Sequence, residues 1–258
     1  MTVAAIDQSY TPEFFATQQS ASERSAREVV PLLMDLLRPQ RVIDVGCGIG
    51  TWTRVFAEHG AEVLGVDGDY VDRRQLCIPV EKFLARDLMK PLRVGVGFDL
   101  AVCLEVAEHL PPKRAAGFIA DLARLAPIVA FSAAVPGQGG VQHLNEQWPE
   151  YWADLFGECG YVVVDSLRNR IWSNSRVVWH YRQNLLLFVR QSALADFPRL
   201  QAEMERQGVH SLSVVHPEMY QGLCVDADPR HMSLAKASRV FFKTVSEVLR
   251  RKLGRPKR

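Results

Sequence analysis

Val42-Ile43-Asp44-Val45-Gly46-Cys47-Gly48-Ile49-Gly50-Thr51 decides the fold of this 258-residue chain. A β-branched run ends in three glycines at alternate positions, and residues 51 to 59 beyond them have helical spacing. Glycine has no Cβ to hold a ligand off the backbone, and it permits the tight turn from a strand into a helix N-terminus. The stretch therefore predicts a strand, a ligand-bearing loop and a helix. A dinucleotide fingerprint needs Gly or Ala where Thr51 stands, which disfavours a nicotinamide cofactor. Asp44, two residues before the first glycine, has no task beside a pyrophosphate but suits a ligand with a cationic amino-acid end.

Working outward, Val29, Val30, Leu32, Leu33, Leu36 and Leu37 predict a helix over 20–37 that stops before Pro39. Strands are expected at 41–45, 62–66, about 80–84, 98–104 and 127–132, with helices at 51–59, 113–125 and 148–159. Tyr161 to Leu167 and Leu185 to Arg190 read as a final antiparallel pair. Such alternation predicts an α/β fold: a Rossmann-like, doubly wound sheet of about seven strands, mostly parallel with an antiparallel last strand, helices on both faces. Three regions are expected: an N-terminal helical cap at 1–38, a ligand-binding domain at 39–192, and a C-terminal helical appendage at 193–258 with a helix near 232–252 and a basic tail.

Net charge is +2 with 23% charged residues, which gives no general polyanion-binding surface, so no nucleic-acid partner is expected. The cysteines, at 47, 77, 103, 159 and 224, form neither an even set nor a Cys-x-x-Cys pair, so no disulfide framework or thiolate zinc site is predicted. With no apolar run of the roughly 20 residues that cross a bilayer, and no leader-like N-terminus, a cytoplasmic protein without a membrane span is expected. Oligomeric state is not readable from the sequence.

Two more acids follow the next strands. Asp67, with Gly68, ends Val63-Leu64-Gly65-Val66, where a carboxylate accepts from ribose hydroxyls. Asp87 in Ala85-Arg86-Asp87-Leu88 is placed to accept from an adenine amino group, with Leu88 over the ring. In order, Asp44-x-Gly46-x-Gly48-x-Gly50, Asp67, Asp87 and the segment Phe98 to Leu110 resemble the motifs of class I methyltransferases that use S-adenosylmethionine, over roughly residues 40 to 190. That resemblance implies a methyltransferase. It places Asp44, Gly46, Cys47, Gly48, Gly50 and Thr51 around the methionine part, Asp67 and Gly68 at the ribose, and Asp87 and Leu88 at the adenine. Cys103, Leu104 and Glu105 would line the cleft after the fourth strand.

Glu105-Val106-Ala107-Glu108-His109 puts three potential ligands just after a strand, and His143 follows the fifth strand. If the segment is helical, Glu105 and Glu108 share a face at i and i+3. The pattern is similar to that of metal-assisted ubiquinone-pathway and small-RNA methyltransferases, which implies a divalent cation, Mg or Mn, on Glu105, Glu108, His109 and His143. Imidazole suits manganese better than magnesium. Alternatively the segment closes the strand without metal, with Glu105 facing the cofactor and His143 serving as general base.

A hydroxyl acceptor benefits from a base or metal more than an amine does, so the cluster points to oxygen methylation. Aromatics follow His143: Trp148, Tyr151, Trp152 and Phe156, then Trp172, Trp179 and Tyr181. They serve as stacking platform or as core. Asn145 to Trp152 and Val215 to Tyr220 are similar to segments of bacterial methyltransferases of carbohydrate assembly, which implies a sugar or other small polyol, or an oligosaccharide, as acceptor. RNA 2′-hydroxyl methylation, small-molecule N-methylation and non-catalytic donor binding stand as the alternatives. Tyr10 to Phe15 are either a lid over the donor or packing, and Arg250 to Arg258 either a contact with an acidic membrane surface or a polyanion, or a solvated tail.

Overall fold

The computed structural model describes residues 12–95, 97–207, 211–228, 230 and 233–253. The long helix α1 (Pro12–Leu37) precedes β1 (Arg41–Val45), α2 (Thr51–Glu58), β2 (Glu62–Asp67), β3 (Phe83–Ala85) and β4 (Leu100–Leu104). Then come α3 (Ala115–Leu125), β5 (Ile128–Ser132), α4 (Pro149–Glu158), β6 (Tyr161–Val164), α5 (Arg168–Ile171), α6 (Trp179–Asn184), β7 (Leu186–Arg190) and α7 (Pro198–Gln207). The chain divides into two compact units between Val214 and Val215. In the second unit, α8 (Pro217–Ala227) begins with His216, whose Nδ1 accepts from the Glu218 N–H at 3.2 Å, and α9 (Leu234–Leu253) follows. The expected lid residues Tyr10 and Thr11, and the tail beyond Leu253, lie outside the described residues, as do the side chains of Glu13 to Phe15 and of Arg250 to Leu253.

Seven strands form one sheet in the order β3-β2-β1-β4-β5-β7-β6. Pairing is parallel from β3 through β5, whereas β7 runs antiparallel to both β5 and β6. This is the expected Rossmann-like sheet, and strands β1, β4 and β5 are apolar because helices cover them on both sides. One core packs α1 and α2 against the sheet through Val29, Val30, Leu33 and Phe56. On the other face Phe118, Leu122, Trp152 and Phe156 of α3 and α4 meet Phe131 and Phe188, with the Phe156 and Phe188 rings stacked 4.0 Å apart. Trp152 and Phe156 are thus core, the second of the two uses open to them.

From β1 the order steps one way to β2 and β3, and from β4 it steps the other way. A crevice opens between β1 and β4 at the strands' carboxyl ends, where open α/β sheets hold ligands. The third strand is shorter than expected. Pro79 and a 3₁₀ turn over Val80–Lys82 take up its first half, leaving Phe83–Ala85 paired with β2.

Candidate active site

The glycine loop leaves β1 with Gly46, Gly48 and Gly50 all at positive φ (82°, 55° and 84°), and Gly50 caps α2. A Cβ on Gly46 would come within 2.3 Å of the Val106 side chain. We therefore expect Gly46→Ala to lose about 1–3 kcal/mol of stability from overpacking, to which the strain of a Cβ at positive φ adds, read as a lowered urea midpoint; an unchanged midpoint would show that backbone and Val106 both yield freely. A Cβ on Gly48 would meet nothing within 4 Å, because it would project into the space above the loop.

Two cavities flank this loop and share Gly46. The first, about 430 Å³, is lined by Asp44, Gly48, Thr51, Leu104, His180 and Tyr181 among others. The second, about 790 Å³, is lined by Asp67, Gly68, Asp87, Leu88, Glu105 and His109 among others. Gly50 apart, the residues expected at the methionine end line the first cavity and those expected at the nucleoside end line the second, and the two cavities meet at Gly46.

Asp44 is 4% exposed and accepts from the Thr53 hydroxyl at 2.7 Å. Burial pushes its carboxyl up to about 7, the nearby Asp67 charge adding and the Thr53 hydroxyl opposing. Asp67 accepts from Gly48 N–H at 2.6 Å on one oxygen, and from Gly68 N–H at 2.6 Å and the Tyr70 hydroxyl at 2.5 Å on the other. Asp87 is exposed; its Oδ1 accepts from Met89 N–H at 3.0 Å. Cys47 lines the first cavity, and burial raises its thiol far out of the reactive range. Gly50 is buried beside the Ile78 side chain and lines neither cavity. Cys103 is fully buried in the core and also lines neither cavity. This corrects its expected place in the cleft: alternate residues of β4 face opposite sides of the sheet, and Leu104 rather than Cys103 faces the site.

After β4 the chain does not become an α-helix. Glu105 adopts a left-handed φ of 55°, and Ala107–His109 form a 3₁₀ turn, so Glu105 and Glu108 diverge. Glu105 Oε2 accepts from Gln138 Nε2 at 2.6 Å and Oε1 from Asn184 Nδ2 at 3.2 Å. Asn184 Nδ2 also donates to Gln138 Oε1 at 2.8 Å, and Gln183 Nε2 donates to Asn184 Oδ1 at 2.9 Å. The expected four-residue metal set is therefore corrected. Among the described residues Glu108, His109 and His143 bring one ligand atom each within 4.8 Å of one another, and Glu105 is held elsewhere.

Glu108 is fully buried, and neither carboxylate oxygen has a hydrogen-bond donor at ordinary geometry. Burial first, and then the Glu105 charge, hold its carboxyl well above the usual carboxylate range. The rings of His109 and His143 meet edge to face at 4.8 Å. Burial and the His143 ring press His109 below the ordinary imidazole range. His143 Nδ1 lies 2.9 Å from Glu146 Oε1, while Glu146 Oε2 accepts from Gly137 N–H at 2.9 Å. Although burial opposes it, these hydrogen bonds keep the Glu146 carboxyl below its ordinary value.

Sequence reading passed over Gln138, Glu146, Asn184, Tyr70 and His180, and left Tyr181 between stacking platform and core. Gln138 and Glu146 flank His143 in a glycine-rich loop, and an acid three residues from a histidine was the one local signal available. Asn184, His180 and Tyr181 reach the site through α6, a six-residue helix without a side-chain N-cap.

A family model described as a methyltransferase domain matches residues 17–174. The chain is similar to a ubiquinone biosynthesis O-methyltransferase of Coxiella burnetii, 33% identical over 88 residues that cover 30% of this chain and 36% of that protein. It is also similar to a probable chloroplastic tocopherol O-methyltransferase of Oryza sativa subsp. japonica, 33% identical over 98 residues, 34% of this chain and 26% of that one. The chain thus spans about a third of the length of the curated relatives it matches. Among solved structures, a SAM dependent methyltransferase from Archaeoglobus fulgidus superposes with a TM-score of 0.48 and 18% identity over 59% of this chain and 76% of that one.

Proposed function

The chain belongs to the methyltransferase-domain family, and on that premise we propose that it moves a methyl group from S-adenosylmethionine to a hydroxyl oxygen. The observation that carries this reading is the pair of cavities that meet at Gly46, one lined by Asp44, the other by Asp67 and Asp87. A cationic amino-acid end suits Asp44, whose ionised form lacks a charged partner in its enclosed setting. Asp67 already takes a hydroxyl, that of Tyr70, on the oxygen a ribose hydroxyl would use; Tyr70 is 84% exposed, so its ring has room to withdraw. A donor lying along the loop would fill the space a Gly48 Cβ would enter.

The donor brings a methyl group already activated on sulfur. What remains for the protein is to align an acceptor lone pair behind the S–CH₃ bond, keep water out and take the hydroxyl proton. Glu146, ionised at neutral pH, accepts only, which places the His143 proton on Nδ1 and leaves Nε2 to receive a proton. As the new C–O bond forms and the C–S bond breaks with its electron pair returning to sulfur, that proton passes to Nε2. Glu105, with both oxygens engaged by amides, shapes the cleft wall rather than moving a proton.

A divalent cation is the second reading, favoured by the unpartnered oxygens of Glu108 beside His109 and His143. Those three residues fit such an ion and would hold it; the chemistry supplied would be a lowered pKa for the acceptor hydroxyl. The curated relatives are named as O-methyltransferases of ubiquinone biosynthesis and of tocopherol, which favours an oxygen acceptor on a compound of that class, and Trp152 and Phe156, buried in the core, give no platform for the polyol first expected. A methyl-transfer assay over phenolic, sugar, amine and RNA acceptors, with and without chelator, tests all of this. We expect turnover on a phenolic acceptor. Activity on amines alone would sink the hydroxyl reading, and activity unchanged by exhaustive chelation would sink the cation.

A further inference from the structure

Along the helix α9, Leu234–Leu253, one side carries the exposed Phe241 at 62%, Val245 at 38% and Val248 at 43%, four and three residues apart, with Leu234 at 89% seven residues before Phe241. Phe242, 68% exposed, broadens the stripe beyond the narrow seam of a coiled coil. Arg239 and Lys243, four residues apart and exposed, occupy the opposite side. Ser238 and Ser246 turn their hydroxyls back to the helix's own Leu234 and Lys243 carbonyls, which leaves the polar side to its charges.

Charge is distributed very unevenly along the chain. Residues 234–258 hold nine Lys or Arg and one Glu, a net +8, so the other 233 residues hold 22 basic and 28 acidic side chains, a net −6. A near-neutral whole hides a strongly cationic end.

We propose that α9 is a docking helix for an anionic lipid surface, lying in the plane of the interface with Phe241, Phe242, Val245 and Val248 in the acyl boundary and its cations against lipid phosphates. A nucleic acid would use the cations but leave the aromatic stripe in water. A second copy of the chain would cover the stripe but gather two +8 segments at one place. An anionic bilayer uses both features at once, and amphipathic helices with basic polar faces behave this way. No described helix is long and apolar enough to cross a membrane, so the attachment is peripheral.

The test is sedimentation of the full chain with vesicles of phosphatidylcholine alone and of phosphatidylcholine mixed with phosphatidylglycerol. Partitioning onto the anionic vesicles should exceed that onto neutral ones by about ten-fold or more, and should fall as salt is raised through the range that screens surface charge. Phe241→Asp and Lys243→Glu should each weaken it, with circular dichroism and donor affinity unchanged. Equal binding to neutral and anionic vesicles would overturn the proposal, as would vesicle binding untouched by Phe241→Asp. Tighter binding to an RNA oligomer than to anionic vesicles would assign the helix to nucleic acid. Concentration-dependent dimerisation abolished by Phe241→Asp, without vesicle binding, would assign it to self-association.

Discussion

Replacing His143 with alanine should lower kcat by roughly 10²- to 10⁴-fold, the span over which a positioned general base acts, while leaving donor affinity nearly unchanged. The separation follows from geometry. His143 lines neither of the two cavities that suit the donor; it meets them through His109, whose ring touches it at 4.8 Å and which does line the nucleoside side. Glu146→Gln is the informative companion. A glutamine keeps the volume but removes the charge that holds the His143 proton on Nδ1, so we expect a smaller fall, about ten-fold. If His143 instead holds a cation, His143→Ala still inactivates, but exogenous imidazole restores no turnover and added metal becomes the limiting variable. Full activity of His143→Ala on a hydroxyl acceptor would remove this residue from the mechanism.

The parts of the site visible in the sequence are those where one backbone requirement forces one residue type. Gly46 and Gly48 could be read because positive φ and a close ligand surface both demand a missing Cβ, and Asp44 and Asp67 because they sit at the ends of β-branched runs. Strands β4 and β5, buried on both faces, announced themselves as apolar runs. Glu105 drops out of the expected metal set for a reason no spacing rule contains. Glu-x-x-Glu shares a face only on an α-helix, and here a left-handed Glu105 followed by a 3₁₀ turn sends one carboxylate toward Gln138 and Asn184 and the other toward His109 and His143. Asn184 illustrates the other limit: it lies 79 residues from Glu105 and meets it only because β7 returns antiparallel beside β5. Such a contact belongs to topology, not to local pattern.

Asp44→Asn should weaken S-adenosylmethionine binding about ten- to a hundred-fold near neutral pH, in line with the loss of a hydrogen bond to a charged group worth ~1.5–3 kcal/mol. It should also remove a pH dependence. In the free protein the Asp44 carboxyl is pushed up to about 7, mainly by burial, so it is largely protonated at pH 5 and ionised at pH 8. Only the ionised form pairs with a cationic amino group, so wild-type affinity should climb as pH rises from 5 toward 7. It should level off above that, where the amino group of the donor itself begins to lose its proton near ~8. Fold stability carries the opposite sign. A carboxyl raised above its unfolded value favours the folded chain at low pH and progressively less as pH rises through about 7, so Asp44→Asn should be relatively more stable than wild type at pH 8 than at pH 5. Isothermal titration of donor and urea unfolding, each at both pH values, read the two effects separately. A wild-type affinity that is flat across this range, with Asp44→Asn binding equally well, would detach Asp44 from the donor. A weakened Asp44→Asn whose unfolding midpoint also falls at both pH values would instead place its importance in the packing of Thr53 and the loop.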